Sequence, residues 1–155
     1  MKKYEFTGKE MHVFGRTLKQ IVCVTAFASV SVGDIGGWIG SEKNLSHDGD
    51  AWVYGDARVC GEARVCGDAL VCGNALVYGY ARVYGNAEVL TRKAVIIDSN
   101  HYHVTITDTH ITIGCQNNKK EFWENANYET IKEIDGEESA KTFIEFKPFI
   151  MALAK

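Results

Sequence analysis

The stretch GDARVCGEARVCGDALVCGNALVYGYARVYGNAEV, from Gly55 to Val89, repeats one pattern every six residues. Each hexad has the form A-x-V-x-G-x. A six-residue period fits neither a helix nor a plain strand, so we interpret each hexad as a short strand followed by a corner. Alternation along the strand places alanine and valine on one face, and glycine supplies the backbone freedom that a corner needs. The sequence therefore predicts a coil of short strands with valine inside.

The repeat extends beyond this stretch. It begins with Ile39 and Leu45, which are one hexad apart, and it shifts by two residues at SHDG. From Val53 onward a valine recurs in every hexad as far as Val95.

The hexads resemble those of left-handed parallel β-helix proteins, the hexapeptide-repeat superfamily. The segment GDIGGWIGSEKNLSHDGDAWVYGDARV (Gly33–Val59) is similar to the segment that leads into the repeat in small hexapeptide-repeat proteins of bacteriophages and prophages. The resemblance covers about residues 13–116. It implies that three hexads close one triangular coil, that the coil is left-handed, and that the subunits form trimers.

Both flanking regions have patterns of their own. LKQIVCVTAF (Leu18–Phe27) is β-branched and short, which is typical of a strand, and VTITDTHITIG (Val104–Gly114) alternates with period two, which predicts a strand pair. Asn117 or Asn118 is predicted to cap a helix over KKEFWENA. The last segment, EESAKTFIEFKPFIMALA, has a helical spacing of apolar residues that Pro148 is expected to interrupt.

We therefore expect a mainly β protein with a short left-handed parallel β-helix of about three coils. The predicted organisation is an N-terminal β segment and turn over 1–38, the hexapeptide-repeat β-helix over 39–97, and a C-terminal α/β cap with a strand pair and helices over 98–155. Capping material is expected at both termini because a solenoid has open ends.

The composition limits the function classes. The 155 residues have 46% hydrophobic content and a formal charge of −3, so no global field favours a nucleic acid polymer or an anionic membrane. Neither a signal peptide nor a membrane-spanning run is evident, and the five cysteines are an odd number. We expect free thiols and a cytoplasmic location in the host bacterium.

If three hexads make a coil, residues separated by three hexads stack on its outside at roughly 4.8 Å. These outward positions are rich in tryptophan, leucine, tyrosine and cysteine, and a contiguous apolar exterior implies a partner. Three-fold self-association is the simplest partner, and the alternative is that the terminal segments fold back over the coils. The predicted interface residues are Trp52, Tyr54, Leu70, Leu76 and Cys72.

The same spacing places Arg64 beside Arg82 on neighbouring coils. Like charges in this position repel, so a counter-charge is expected. One interpretation is an acidic residue of a neighbouring subunit, or splaying of both side chains into water. The other is an anion site, because paired guanidinium groups with nearby tyrosines suit a phosphate and a stacked base. The candidate ligand-binding residues are Arg64, Arg82, Arg58, Tyr78 and Tyr84, of which Arg58 can join only across a subunit boundary.

Enzymatic alternatives rest on few residues. His47, beside Asp48, is the histidine that could act as general base in a hexapeptide-fold acyltransferase. A zinc site could draw on His101, His103 and His110, as in the zinc carbonic anhydrases of this fold. Cys115 with His110 would be a nucleophile and base that nothing in the sequence orients.

The leading hypothesis is a non-catalytic phage-type homotrimer that sequesters a small anionic, nucleotide-like signalling ligand at its subunit clefts in counter-defence against the host. A host protein is an alternative partner, and no cofactor or membrane is expected. The alternative functions are an acyltransferase that uses acyl-CoA on a small acceptor, and a purely structural or protein-interaction module.

Overall fold

The computed structural model describes residues 1–13, 15–90, 95–98 and 103–155, the backbone alone for 95–98. Its strands are β1 (Tyr4–Val13), β2 (Arg16–Cys23), β3 (Ile35–Ile39), β4 (Trp52–Val53), β5 (Arg58–Val59), β6 (Arg64–Val65), β7 (Leu70–Val71), β8 (Leu76–Val77), β9 (Arg82–Val83), β10 (Glu88–Val89), β11 (Val95–Asp98), β12 (His103–Ile106), β13 (His110–Ile113) and β14 (Gln116–Lys119). The helices are α1 (Lys120–Asn125) and α2 (Tyr128–Leu153), and a 3-10 helix spans Glu42–Asn44.

The hexads form a parallel β-solenoid with three sides. The first sheet has the order β1-β2-β3-β5-β8, the second β10-β7-β4, and the third contains β6 and β9. Strands of successive coils pair in parallel at a spacing of three hexads, as in Trp52 with Leu70 and Arg64 with Arg82. Because consecutive hexads lie on different sheets, each coil passes once through all three sides.

Valine and alanine fill the inside of the coils. The valines from Val53 to Val89 and the alanines from Ala51 to Ala87 are 0–1% exposed. Complete burial of a valine contributes about 1.5–3 kcal/mol relative to an exposed one, so the stacked valines stabilise this part of the chain.

The two-residue shift at SHDG lies in the first coil. Trp38 pairs with Arg58 and Leu45 bridges Val65, so both separations exceed three hexads by two positions. In the hexad before the shift, Asn44 donates hydrogen bonds from its side-chain Nδ2 to the carbonyls of Gly61 and Ala63 at 3.0 and 2.8 Å. An amide side chain thus replaces backbone partners that a regular hexad would supply.

The N-terminal segment closes the first end of the solenoid. β1 and β2 form an antiparallel hairpin, and β2 pairs with β3, so the hairpin continues the first sheet. The buried Lys3 ammonium donates to the carbonyls of Ala51 and Gly49 at 2.7 and 3.1 Å, and the Tyr4 hydroxyl donates to the Leu45 carbonyl at 2.8 Å. These side chains satisfy carbonyls of the first coil that face no preceding coil.

The C-terminal segment closes the other end with side chains in the same way. Residues of the last coil have backbone groups that would pair with a further coil, and residues of the cap pair with them instead. The contacts are Arg82 N–H to Thr105 Oγ1, Glu88 N–H to Thr109 Oγ1, Leu90 N–H to Asp108 Oδ2, Asp108 N–H to the Glu88 carbonyl, and Asn117 Nδ2 to the Tyr84 carbonyl.

The cap is an antiparallel sheet, β11-β12-β13-β14, that packs against two helices around a second apolar core. β12 and β13 form the strand pair predicted from the alternating pattern. The prediction that Asn117 or Asn118 caps a helix is wrong, because both lie in β14 and α1 begins after Lys119.

The prediction of a break at Pro148 is also wrong. α2 continues through Pro148, and its backbone instead departs from helical geometry at Gly136, where φ is 86°. A proline removes one helical hydrogen bond, and the helix continues past Pro148 without it. The φ of 86° at position 136 lies outside the helical range, and glycine adopts it readily because it has no Cβ. Phe143 and Ile150, on either side of the proline, pack into the cap core and hold the helix in place.

We expect Gly67→Ala to destabilise the solenoid more than Gly33→Ala does. Both glycines have positive φ, 68° and 93°, so alanine costs about 1–2 kcal/mol at each. At Gly67 the new Cβ would also lie 2.9 Å from the Gly85 nitrogen of the next coil, whereas at Gly33 it would meet nothing within 4 Å. The crowding should add about 1–3 kcal/mol, measured by urea unfolding followed by circular dichroism. Equal losses in the two variants would contradict a role of Gly67 in close coil stacking.

Candidate functional site

The outer side of the third sheet carries two arginines in direct register. β6 pairs with β9 so that Arg64 is opposite Arg82, and both side chains are exposed. Cys66 and Tyr84 follow on the same two coils and are half-buried. Neither guanidinium forms an ion pair with any residue that the structure describes. We refer to Arg64, Arg82, Cys66 and Tyr84 as the arginine face.

The two arginines act on their neighbours electrostatically. Burial raises the pKa of the Cys66 thiol, and the positive charges of Arg64 and Arg82 oppose that rise. Burial also raises the pKa of Tyr84, with a further rise from Cys115 and an opposing effect of Arg82. The Tyr84 hydroxyl is buried and has no hydrogen-bond partner among the described atoms. The face is therefore a positive surface with a neutral thiol and a neutral phenol beside it.

Two of the predicted ligand-binding residues lie elsewhere in the chain. Arg58 pairs with Trp38 and Leu76 in the first sheet, and Tyr78 follows β8 on that sheet with 50% of its surface exposed. Within one chain the structure thus brings Arg64, Arg82 and Tyr84 together but not Arg58 or Tyr78. Successive hexads occupy different sides of the triangle, which separates them.

His47 has a structural role in this chain. Its Nδ1 accepts a hydrogen bond from the Lys3 backbone N–H at 3.2 Å, and its ring stacks on Tyr4 with centroids 4.2 Å apart. Because Nδ1 accepts this hydrogen bond, the proton of the neutral imidazole is on Nε2. The lone pair that a general base would use is therefore already engaged by the Lys3 backbone. His47 belongs to the contacts that close the first end of the solenoid.

The histidines of the cap do not converge. Val104 of β12 is opposite Ile113 of β13, so His103 and His110, at the first positions of these antiparallel strands, lie at opposite ends of the pair. The length of the strands places them about 10 Å or more apart, too far to share a zinc ion. His101 lies outside the described residues. The parts of the chain that the structure describes hold no group of three or more metal-ligating side chains.

Cys115 and His110 are also separated. Cys115 lies in the turn between β13 and β14, whereas His110 is opposite Lys119 at the other end of that strand pair. Burial and Lys119 lower the pKa of His110, and its Nδ1 lies 2.9 Å from the Thr109 hydroxyl. The two side chains therefore do not form a nucleophile and base.

The predicted interface residues divide into two groups. Trp52 is 1% exposed because the N-terminal segment of its own chain covers it, with ring centroids of Phe27 and Tyr4 at 5.4 and 6.3 Å. The prediction that Trp52 contacts another subunit is thus corrected, since folding back of a terminal segment already buries it. The other four, Tyr54, Leu70, Leu76 and Cys72, remain half-buried on the outside of the coils.

The cap contains an apolar cavity of about 50 Å³. Trp123 and Phe143 line it, together with both parts of α2 on either side of Gly136. Its lining is mainly apolar and carries the Asp135 carboxylate but no lysine or arginine, so it does not suit an anionic ligand.

A polar cleft that the sequence did not reveal lies near the first end of the solenoid. Its volume is about 290 Å³, and it is lined by Arg16, Thr17, Gly40, Ser41, Asn44, Cys60 and Gly61. Arg16 comes from β2, outside the repeat, so no periodic spacing relates it to Cys60.

Comparison with known families supports the solenoid. A family model described as the YdcK beta solenoid repeat matches residues 63–79 and 71–85, which span β6 to β9. The chain is thus similar to a β-solenoid repeat family over part of its coils. A comparison with curated proteins found no match. Among the described residues, no helix is both long and apolar enough to cross a bilayer.

We expect Trp52→Ala to destabilise the folded chain by about 3–5 kcal/mol, the typical cost of deleting a buried tryptophan. Leu70→Ala, one coil further along the same sheet, should cost less because Leu70 is only half-buried. Urea unfolding at one fixed protein concentration measures both variants. If Trp52→Ala instead left the stability of the chain unchanged and altered only its oligomeric state, the burial described here would be contradicted.

Proposed function

We propose that the protein is a non-catalytic binding protein that holds a small anionic, nucleotide-like ligand at the arginine face. The observation that carries the proposal is the register of Arg64 and Arg82, two exposed guanidiniums on adjacent coils without an ion pair to any described residue. The proposal includes a left-handed coil and a homotrimer, both of which rest on the resemblance to hexapeptide-repeat proteins.

The physical reason for an anion is the repulsion between the two cations. Like charges directly opposite on neighbouring strands cost roughly 0.2–1 kcal/mol, and a bound anion would remove that cost. Guanidinium groups form paired hydrogen bonds with phosphate oxygens, which are stronger than bonds between neutral groups. The half-buried ring of Tyr84 lies beside Arg82 and offers an aromatic surface to the rest of the ligand.

The trimer is supported by the outer surface of the coils. Tyr78 and Leu90 are 50% and 45% exposed, and Tyr54, Leu70 and Leu76 are half-buried around them. Apolar side chains on two sides of a triangular solenoid are expected to pack against other copies of the chain.

In such a trimer, Arg58 and Tyr78 of one subunit would approach the arginine face of its neighbour and complete the ligand site. The similarity of Gly33–Val59 to phage and prophage proteins supports a role in counter-defence by sequestration of a host signalling nucleotide.

No described residue favours the acyltransferase alternative. His47 is its candidate base, and the Nδ1 of this histidine is engaged by the Lys3 backbone. A protein-interaction module would use the same apolar surface without a small ligand.

We expect Arg64→Ala and Arg82→Ala each to weaken ligand binding by about 10- to 100-fold, the effect of one lost charge-assisted hydrogen bond. A panel of AMP, cyclic dinucleotides and ADP-ribose, titrated by calorimetry at low and high salt, measures the affinities. Lys9→Ala removes an exposed positive charge from β1 and should leave the affinity unchanged. Absence of nucleotide affinity in the wild type, or equal affinity in the double arginine variant, would contradict the proposal.

We expect native mass spectrometry to detect three 17.2 kDa chains in one particle. Leu70→Glu on the second sheet and Leu76→Glu on the first place a charge on different outer surfaces, and at least one should dissociate the trimer. The exposed Lys9→Ala variant is the control. A wild-type monomer would overturn the trimer directly, without bearing on whether the arginine face binds an anion.

A further inference from the structure

The polar cleft at the first end of the solenoid has a fixed floor. The Asn44 side chain uses both ends of its amide there, since its Oδ1 accepts from the Ser41 N–H at 2.8 Å and its Nδ2 donates to two carbonyls of the next coil. Gly40 N–H donates to the Val59 carbonyl at 2.9 Å. The backbone under the cleft is therefore held in one position before any ligand arrives.

The groups that face the cleft are mostly hydrogen-bond donors. Arg16 supplies an exposed guanidinium that forms no ion pair with a described residue. Ser41 and Thr17 supply hydroxyl groups, and the Thr17 hydroxyl lies 3.1 Å from the Nδ1 of His12. The lining, all of which belongs to the described residues, contains no carboxylate. A positive charge with two hydroxyls and no acid suits the oxygen atoms of an anion.

Cys60 lines this cleft and is 8% exposed. Burial raises the pKa of its thiol, and the Arg16 guanidinium opposes that rise. Arg16 therefore lies close enough to act on a small molecule that reaches the Cys60 sulfur. Neither Arg64 nor Arg82 lines the cleft, so it is distinct from the arginine face.

We propose that this cleft is a second binding site, for a small oxyanion such as a phosphate- or carboxylate-bearing metabolite. Arg16 provides the charge, Ser41 and Thr17 provide hydroxyl contacts, and Asn44 holds the floor in place. Its volume of about 290 Å³ accommodates a small molecule rather than a macromolecule. The site stands independently of the proposed nucleotide site.

The test measures alkylation of Cys60 by two reagents of nearly the same shape, iodoacetate, which is anionic, and iodoacetamide, which is neutral. Each forms a carbon–sulfur bond with the Cys60 thiolate and releases iodide. The ratio of the two rate constants does not depend on the fraction of thiolate, so it reports the preference of the cleft for an anion. Mass spectrometry of the Cys60 peptide gives both rates in the intact protein.

We expect Arg16→Gln to lower the iodoacetate to iodoacetamide ratio at Cys60 by about threefold or more, because the attraction of one nearby charge is lost. Arg16→Lys, which keeps the charge, should retain most of the ratio. Inorganic phosphate should slow the iodoacetate reaction in the wild type, compared with chloride at equal ionic strength. Circular dichroism confirms that each variant is folded.

The proposal is overturned if the ratio is the same in the wild type and Arg16→Gln, or if phosphate does not compete. It is also overturned if neither reagent reaches Cys60, because the cleft would then be closed to small molecules. The double variant Arg64→Gln with Arg82→Gln separates the two sites, since it should abolish nucleotide binding and leave the Cys60 ratio unchanged. An equal fall of the ratio in that variant would assign the effect to the arginine face.

Discussion

The backbone N–H groups of each coil donate to carbonyls of the next coil. The first and last coils each lack a neighbouring coil on one side, so their backbone groups there need other partners. A hydrogen bond left unmade by a buried backbone group costs about 1–3 kcal/mol, and each end of the solenoid has several such groups. The flanking segments supply many of the partners through side chains, together with backbone pairing of β2 with β3 and of Asp108 with Glu88. Lys3 and Tyr4 bind carbonyls at one end, and Thr105, Thr109 and Asp108 accept N–H groups at the other. The two terminal regions are thus necessary parts of the fold.

The same constraint explains why the outside of the coils carries the functional information. From Ala51 to Val89 the inward positions are valine or alanine and the corners are glycine, so these residues are determined by the scaffold. The outward positions are free of that requirement, and here they hold paired arginines on one sheet and mainly apolar residues on the other two. The period of the coil places Arg64 opposite Arg82, where the two charges repel each other, and the proposed anionic ligand would relieve that repulsion.

The sequence predicted the repeating part of the fold well because its period reports geometry directly. Three hexads per coil, which the resemblance to hexapeptide-repeat proteins implies, predicted the stacking of Arg64 on Arg82, and alternation predicted the strand pair around Asp108. It also located the two-residue shift. Contacts between the repeat and the flanking segments have no period, so the burial of Trp52 under Phe27 and the structural engagement of His47 were not predicted.

The cap was predicted less accurately for a related reason. The break in α2 depends on the backbone of Gly136 and not on the proline that marks the sequence, and the helix is held by packing of Phe143 and Ile150. Likewise the cleft around Cys60 combines two hairpin residues, Arg16 and Thr17, with two coils, and only the folded chain brings them together. Local pattern therefore determined the regular elements, and tertiary contact determined the irregular sites.

The side-chain contacts between the last coil and the cap also limit how many residues can be added to the solenoid. Thr105 meets Arg82 of the third sheet, and Thr109 meets Glu88 of the second. Insertion of a whole coil would return every side to the same position and leave these contacts intact. Insertion of one hexad would turn the cap by one side of the triangle and set each of its side chains against the wrong sheet. The solenoid can therefore lengthen in evolution or by design only in steps of three hexads.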